Sequence, residues 1–89
     1  MRYDAKVDEN QPAIIEAARC WGASVLLLHR IGGGVPDLLL FYHGVYLLVE
    51  VKSPDGELNE RQREWIDAWK GPVHVVRSIS QLEKLLLSV

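Results

Sequence analysis

Two acidic residues and a lysine carry the chemistry this sequence offers. Pro36-Asp37 and Glu50-Val51-Lys52 flank twelve residues that are apolar except for a central His43-Gly44. If His43 and Gly44 form a two-residue hairpin loop, Tyr42 faces Val45, and counting back along both strands sets Asp37 opposite Glu50. Directly opposed residues share a face, with Cβ atoms about 5 Å apart. Lys52, two residues beyond Glu50, joins that face. Two like charges at the end of an apolar hairpin destabilise it unless something neutralises them, and a divalent cation does so. Paired carboxylates with room for water suit Mg²⁺ or Mn²⁺, which take hard oxygen ligands, and the nearby Val51 carbonyl is a further ligand of that kind. A lysine beside such a metal can orient or help deprotonate a water and stabilise charge developing on a phosphate. Together these groups suit phosphodiester hydrolysis. The plain alternative is that Asp37 opens a strand after Pro36 while Glu50 and Lys52 form a solvated strand end.

Positioning these residues requires a small α/β fold. Asn10 to Trp21 reads as a helix, with Pro12 in its first turn, Gly22 after its end, and Ile14, Ala18 and Trp21 on one face. Ala23 to Arg30 reads as a strand, ended by the flexible Gly32-Gly33-Gly34. Asp37 to Tyr42 and Val45 to Lys52 form the hairpin, whose apolar centres predict burial on both faces. Ser53-Pro54-Asp55-Gly56 is turn chemistry. Asn59 opens a helix to about Trp69, with Gln62 at capping-box spacing, and Gly71-Pro72 stops it. Val73 to Arg77 is a last strand. Ser80-Gln81-Leu82-Glu83 predicts the cap of a final helix that buries Leu82, Leu85 and Leu86. The order α-β-β-β-α-β-α implies a mixed sheet with helices packed on it, in one domain over residues 1–89.

Composition narrows the partners. The 89 residues carry Lys+Arg 10 against Asp+Glu 12, a formal net charge of -2, so nucleic-acid binding must come from local clustering of basic residues. The apolar runs fall far short of the roughly 20 residues a membrane span needs. The N-terminus mixes acid and base with no apolar stretch behind it, so the expected compartment is the cytoplasm. A single cysteine, Cys20, allows neither a disulfide framework nor a Cys-based zinc site and is expected to be a small buried hydrophobe. His29, His43 and His74 lack ligand spacing with one another.

Pro36-Asp37, twelve residues, then Glu50-Val51-Lys52 is similar to the PD-(D/E)XK nuclease signature. Its surroundings are more specific. Gly34 to Leu39, Val49 to Lys52, Leu58 through Gln62 and Trp65, and Gly71 with Val73 to Ser78 together resemble the VRR-NUC (virus-type replication-repair nuclease) domain in its stand-alone phage or bacterial form. The resemblance runs from about Asp8 to Leu86. It implies a restriction-endonuclease-like α-β-β-β-α-β core and a metal-dependent DNA endonuclease. In that activity Asp37 and Glu50 hold Mg²⁺ or Mn²⁺, the Val51 carbonyl assists, and Lys52 works on the attacking water. It also puts Gln62 near the active site and an acid of the first helix among the metal ligands. Asp8, Glu9 and Glu16 qualify, and Glu9 and Glu16 are preferred because seven residues nearly complete two helical turns.

For the DNA backbone, Arg30, Gly33, Gly34 and Arg61 are the expected contacts, with Arg63, Lys70 and Lys52 extending a basic rim. The glycine run lacks the Lys-Ser/Thr of a nucleotide-binding loop and reads equally as a turn. Trp65 and Trp69, four residues apart, fit a core or subunit interface better than a base-stacking platform. A chain this short has little surface with which to grip DNA, so a homodimer or higher oligomer is expected. By analogy with stand-alone relatives the substrate is branched or Holliday-junction DNA. The rivals are a non-catalytic DNA-binding module that keeps the fold and a subunit active only with a partner protein.

Overall fold

A computed structural model describes residues 9–89 of the chain. Helix α1 (Gln11–Cys20) is followed by strands β1 (Ser24–Leu27), β2 (Leu38–Tyr42) and β3 (Val45–Val51), helix α2 (Glu60–Ala68), strand β4 (Val73–Val76) and helix α3 (Ile79–Leu87). The four strands form one mixed sheet in the order β1-β2-β3-β4. The first three are antiparallel and β4 runs parallel to β3. A parallel pair needs a crossover, and α2 supplies it across one face of the sheet.

The hairpin turns where its residue types require. His43 and Gly44 have φ of 48° and 79°, and positive φ at both central positions marks the type I′ turn that matches the twist of flanking strands. Register follows from the turn: Tyr42 pairs with Val45 and Leu38 with Val49. Strand alternation then sorts the side chains. Leu38, Leu40, Leu47, Val49 and Val51 point to one face, where Ile14 and Ala18 of α1 and Leu82 and Leu86 of α3 close the core. Trp21 at the end of α1 is half-buried and donates from Nε1 to Glu83 of α3 at 3.3 Å.

Expected and observed structure differ in several places, among them β1, which ends at Leu27 rather than Arg30. The core face of the hairpin is buried except at Val45 beside the turn; on the other face, Phe41 and Tyr46 stay exposed because α2 covers only part of it. Cys20 is exposed, lying off the Gln11, Ile14 and Ala18 stripe that faces the sheet. Helix α3 is capped by Ser78 rather than Ser80: the Ser78 side chain accepts from Gln81 N, while the Gln81 side chain accepts from Arg77 N. Serine spacing alone does not separate the two starts.

Candidate active site

The site sits at the open end of the hairpin, on the face that α2 crosses. The β2–β3 pairing ends at Leu38 and Val49, and Asp37 lies in a bend just before it; continued one residue, that register would set Asp37 against Glu50. Asp37 Oδ2 accepts the Val51 N–H at 2.8 Å, which leaves Oδ1 for another partner. One further step would set Pro36 against Val51. The N–H and C=O of one strand residue point the same way, so the Val51 carbonyl also faces the Asp37 side. The residue that would donate to it in the ladder is a proline, which has no N–H. Asp37 Oδ1, Glu50 and the Val51 carbonyl are therefore hard oxygen donors at one strand end, a set that fits Mg²⁺ or Mn²⁺.

Glu50 is only 2% exposed. Its Oε2 accepts from Gln62 Nε2 at 3.0 Å. A buried carboxylate needs such partners, because burying an uncompensated charge is costly. Gln62 reaches it from the first turn of α2, where it also completes the capping box: Asn59 Oδ1 accepts from Gln62 N and Gln62 Oε1 accepts from Asn59 N, both at 2.9 Å. One Gln62 side chain thus both completes the cap and reaches Glu50. Lys52 follows on the same strand with its N–H bonded to Val76 O. Its side chain is half-buried, and no ion pair to it occurs among the described residues.

Two residues that spacing does not single out hold this strand end in place. Asn10, the N-cap residue of α1, donates from Nδ2 to Lys52 O at 2.9 Å and to Arg77 O at 3.1 Å, tying the ends of β3 and β4 together. Arg77 donates from Nε and Nη2 to Gly56 O at 3.2 and 2.9 Å, pinning the loop between β3 and α2. Both contacts are long-range, and polar residues at element ends were the only sequence cue to them.

The acid of the first helix is not brought in by the described residues. Glu9 precedes α1 in a turn, so the shared helix face expected for Glu9 and Glu16 does not form. Glu16 is exposed among Pro12, Ile15, Arg19 and Cys20, on the side of α1 away from Gln11, Ile14 and Ala18. Among the described residues no cluster of three His, Cys, Asp or Glu converges. Asp8 lies outside them.

Of the expected DNA contacts, Arg30, Gly33 and Arg61 are exposed. Gly34 is packed against α2: a Cβ there would lie 2.7 Å from the Arg61 carbonyl carbon and 3.2 Å from Gln62 N. Its close approach is therefore to the helix, which brings the glycine loop and Arg61 side by side. Arg63 makes only a 4.0 Å pair with Glu57 between two well-exposed side chains, which contributes little. Beyond Glu50 on the same face, Leu39, Tyr46 and Leu48 line a groove of about 400 Å³ with Val35, Trp65 and Trp69, whose rings stack at 4.8 Å and 18°.

Comparison with known proteins gives two agreeing results. The family model described as the VRR-NUC domain matches residues 5–78. A solved structure described as a VRR_NUC domain superposes with a TM-score of 0.70 at 27% identity, covering 88% of this chain and 95% of that one. No curated protein matches. Among the described residues no helix is long and apolar enough to cross a membrane.

Proposed function

Starting from the finding that this chain belongs to the VRR-NUC domain family and is a nuclease-type DNA-processing domain, we propose that it is an Mg²⁺- or Mn²⁺-dependent endodeoxyribonuclease. The observation that carries this reading is the strand-end geometry. The hairpin register, continued one step beyond Leu38 and Val49, would oppose Asp37 to Glu50, and Asp37 Oδ2 accepts the Val51 N–H at 2.8 Å. A divalent cation bound there would lower the pKa of a water and neutralise charge on a phosphate oxygen. The chain's own groups do the rest. Asp37 is held by the Val51 N–H so that its second oxygen keeps one direction. Glu50 is aligned by the Gln62 amide. Lys52, on the same face, orients the attacking water, takes part in its deprotonation, and stabilises charge on the phosphate.

Arg30, Gly33 and Arg61 are proposed to contact the DNA backbone, each exposed and within the segments that border the site. We assign branched or junction DNA as the substrate by analogy with stand-alone relatives, cut by a homodimer that presents two sites. The exposed apolar residues Leu26, Phe41 and Tyr46 on the site face support the pairing of two copies.

The test is cleavage of an end-labelled four-way junction and of a linear duplex, with Mg²⁺, Mn²⁺ or EDTA. The native chain is expected to cut with either metal, to cut the junction in preference, and to stop in EDTA; Lys52→Ala is expected to lose the activity. Cleavage that persists in Lys52→Ala would put the active site elsewhere, and no cleavage of any DNA with metal present would favour a non-catalytic binding module. Mn²⁺ binding without cleavage would point to a nuclease that needs a partner protein.

A further inference from the structure

We propose that Asn59 and Gly34 are positioning residues that clamp the first turn of α2 from two sides, so that the Gln62 amide has one orientation and presents its NH₂ to Glu50. Asn59 acts through hydrogen bonds. Gln62 Oε1 is taken by Asn59 N at 2.9 Å, and an amide whose oxygen is engaged there must turn its nitrogen the other way, where Glu50 Oε2 receives it at 3.0 Å. The return bond from Gln62 N to Asn59 Oδ1 fixes the backbone from which the side chain springs. Without this box both ends of the Gln62 amide could exchange places and the donor to Glu50 would be lost part of the time.

Gly34 acts by contact. It has φ of +89° and lies against the Arg61 carbonyl and Gln62 N with no room for a Cβ. The loop that leads into Pro36-Asp37 is thus seated directly on the turn that carries Gln62. Only Val35 and Pro36 separate Gly34 from Asp37, so the same contact ties the Asp37 strand start to the Glu50 partner. The two acids are coupled through α2 as well as through the sheet.

The catalytic consequence rests on the nuclease reading; the mechanical one does not, and the experiment separates them. Gly34→Ala combines left-handed backbone strain with a backbone clash, so the Asn59 variants, at an exposed position, carry the test. The first readout is the Gln62 side-chain amide in nitrogen-proton correlation spectra of the metal-free full chain, assigned by its loss in Gln62→Glu. Asn59→Ala keeps the backbone N–H but removes the Oδ1 acceptor that holds the turn, and is expected to move that resonance toward the free glutamine position and to speed its solvent exchange about tenfold. Asn59→Asp, which keeps the cap acceptor, is expected to restore it. The second readout is kcat and KM on the DNA that the native chain cuts. Asn59→Ala is expected to lower kcat about tenfold, the scale seen when the outer partners of metal ligands are removed. KM should stay within about twofold, and Asn59→Asp should recover the rate. An amide that ignores Asn59→Ala, or a rate that Asn59→Asp fails to recover, overturns the proposal. A native chain that cuts no DNA overturns the nuclease reading instead, and the amide spectrum tells that failure apart from failure of the clamp.

Discussion

The two faces of one sheet have been put to opposite uses. On the core face Leu38, Leu40 and Val49 are wholly buried between the sheet and the helices α1 and α3. On the other face β3 carries the buried Glu50 near its end, followed by Lys52, and Asp37 precedes β2; beyond them Tyr46 is 69% exposed and Leu26 57%. Alternation makes this division unavoidable, since neighbouring residues on a strand point to opposite sides. Stability is concentrated where apolar contact is complete. The proposed chemistry lies on the face that a single short helix covers only in part.

Four substitutions or additions sharpen or break that contrast. The largest effect is expected from Lys52→Ala, which should lower kcat about 10²–10⁴-fold while leaving the urea midpoint near that of the native chain, because the residue adds little to the core. Next, Leu40→Ala should cost about 2–5 kcal/mol in urea unfolding, with activity per folded molecule retained; equal losses from Leu40 and the exposed Tyr46 would erase the distinction between the faces. Third, Mn²⁺ at a hundredfold excess over its dissociation constant should stabilise the native chain by about 2.7 kcal/mol, reversed by EDTA. Asp37→Asn should weaken this gain and Leu40→Ala should keep it, so a gain that survives in Asp37→Asn puts the cation elsewhere. Smallest of all, Tyr46→Ser should change the unfolding free energy of the chain by no more than about 0.5 kcal/mol. In light scattering the same variant should shift the proposed dimer toward monomer; an unchanged mass would move the subunit contact away from this face.

What could be read from the residues alone divides along similar lines. The hairpin register from Tyr42–Val45 to Leu38–Val49 is legible because a two-residue turn and a side-chain period of two leave only one register. The Asn59 and Gln62 box was legible because both partners lie within one helical turn. Burial on the site face was not, because apolar runs do not reveal how much of a sheet one crossover helix covers. The same holds for Asn10 and Arg77, whose bonds join residues 42, 67 and 21 positions apart. A glycine run suggests a phosphate contact at Gly34 and gives no sign of its packing against the α2 backbone. The exposure of Cys20 and the position of Glu16 follow from the phase of α1, which its buried Gln11 helps to set and which an apolar count alone misses.

The central claim is that one divalent cation is shared by Asp37, Glu50 and the Val51 carbonyl. Anomalous scattering from a Mn²⁺-soaked crystal of the full chain tests it most directly. A single peak per chain is expected at the open end of the hairpin, within about 2.0–2.6 Å of those oxygens. No peak there at a Mn²⁺ concentration that supports cleavage, or a peak bound by other residues, would contradict it.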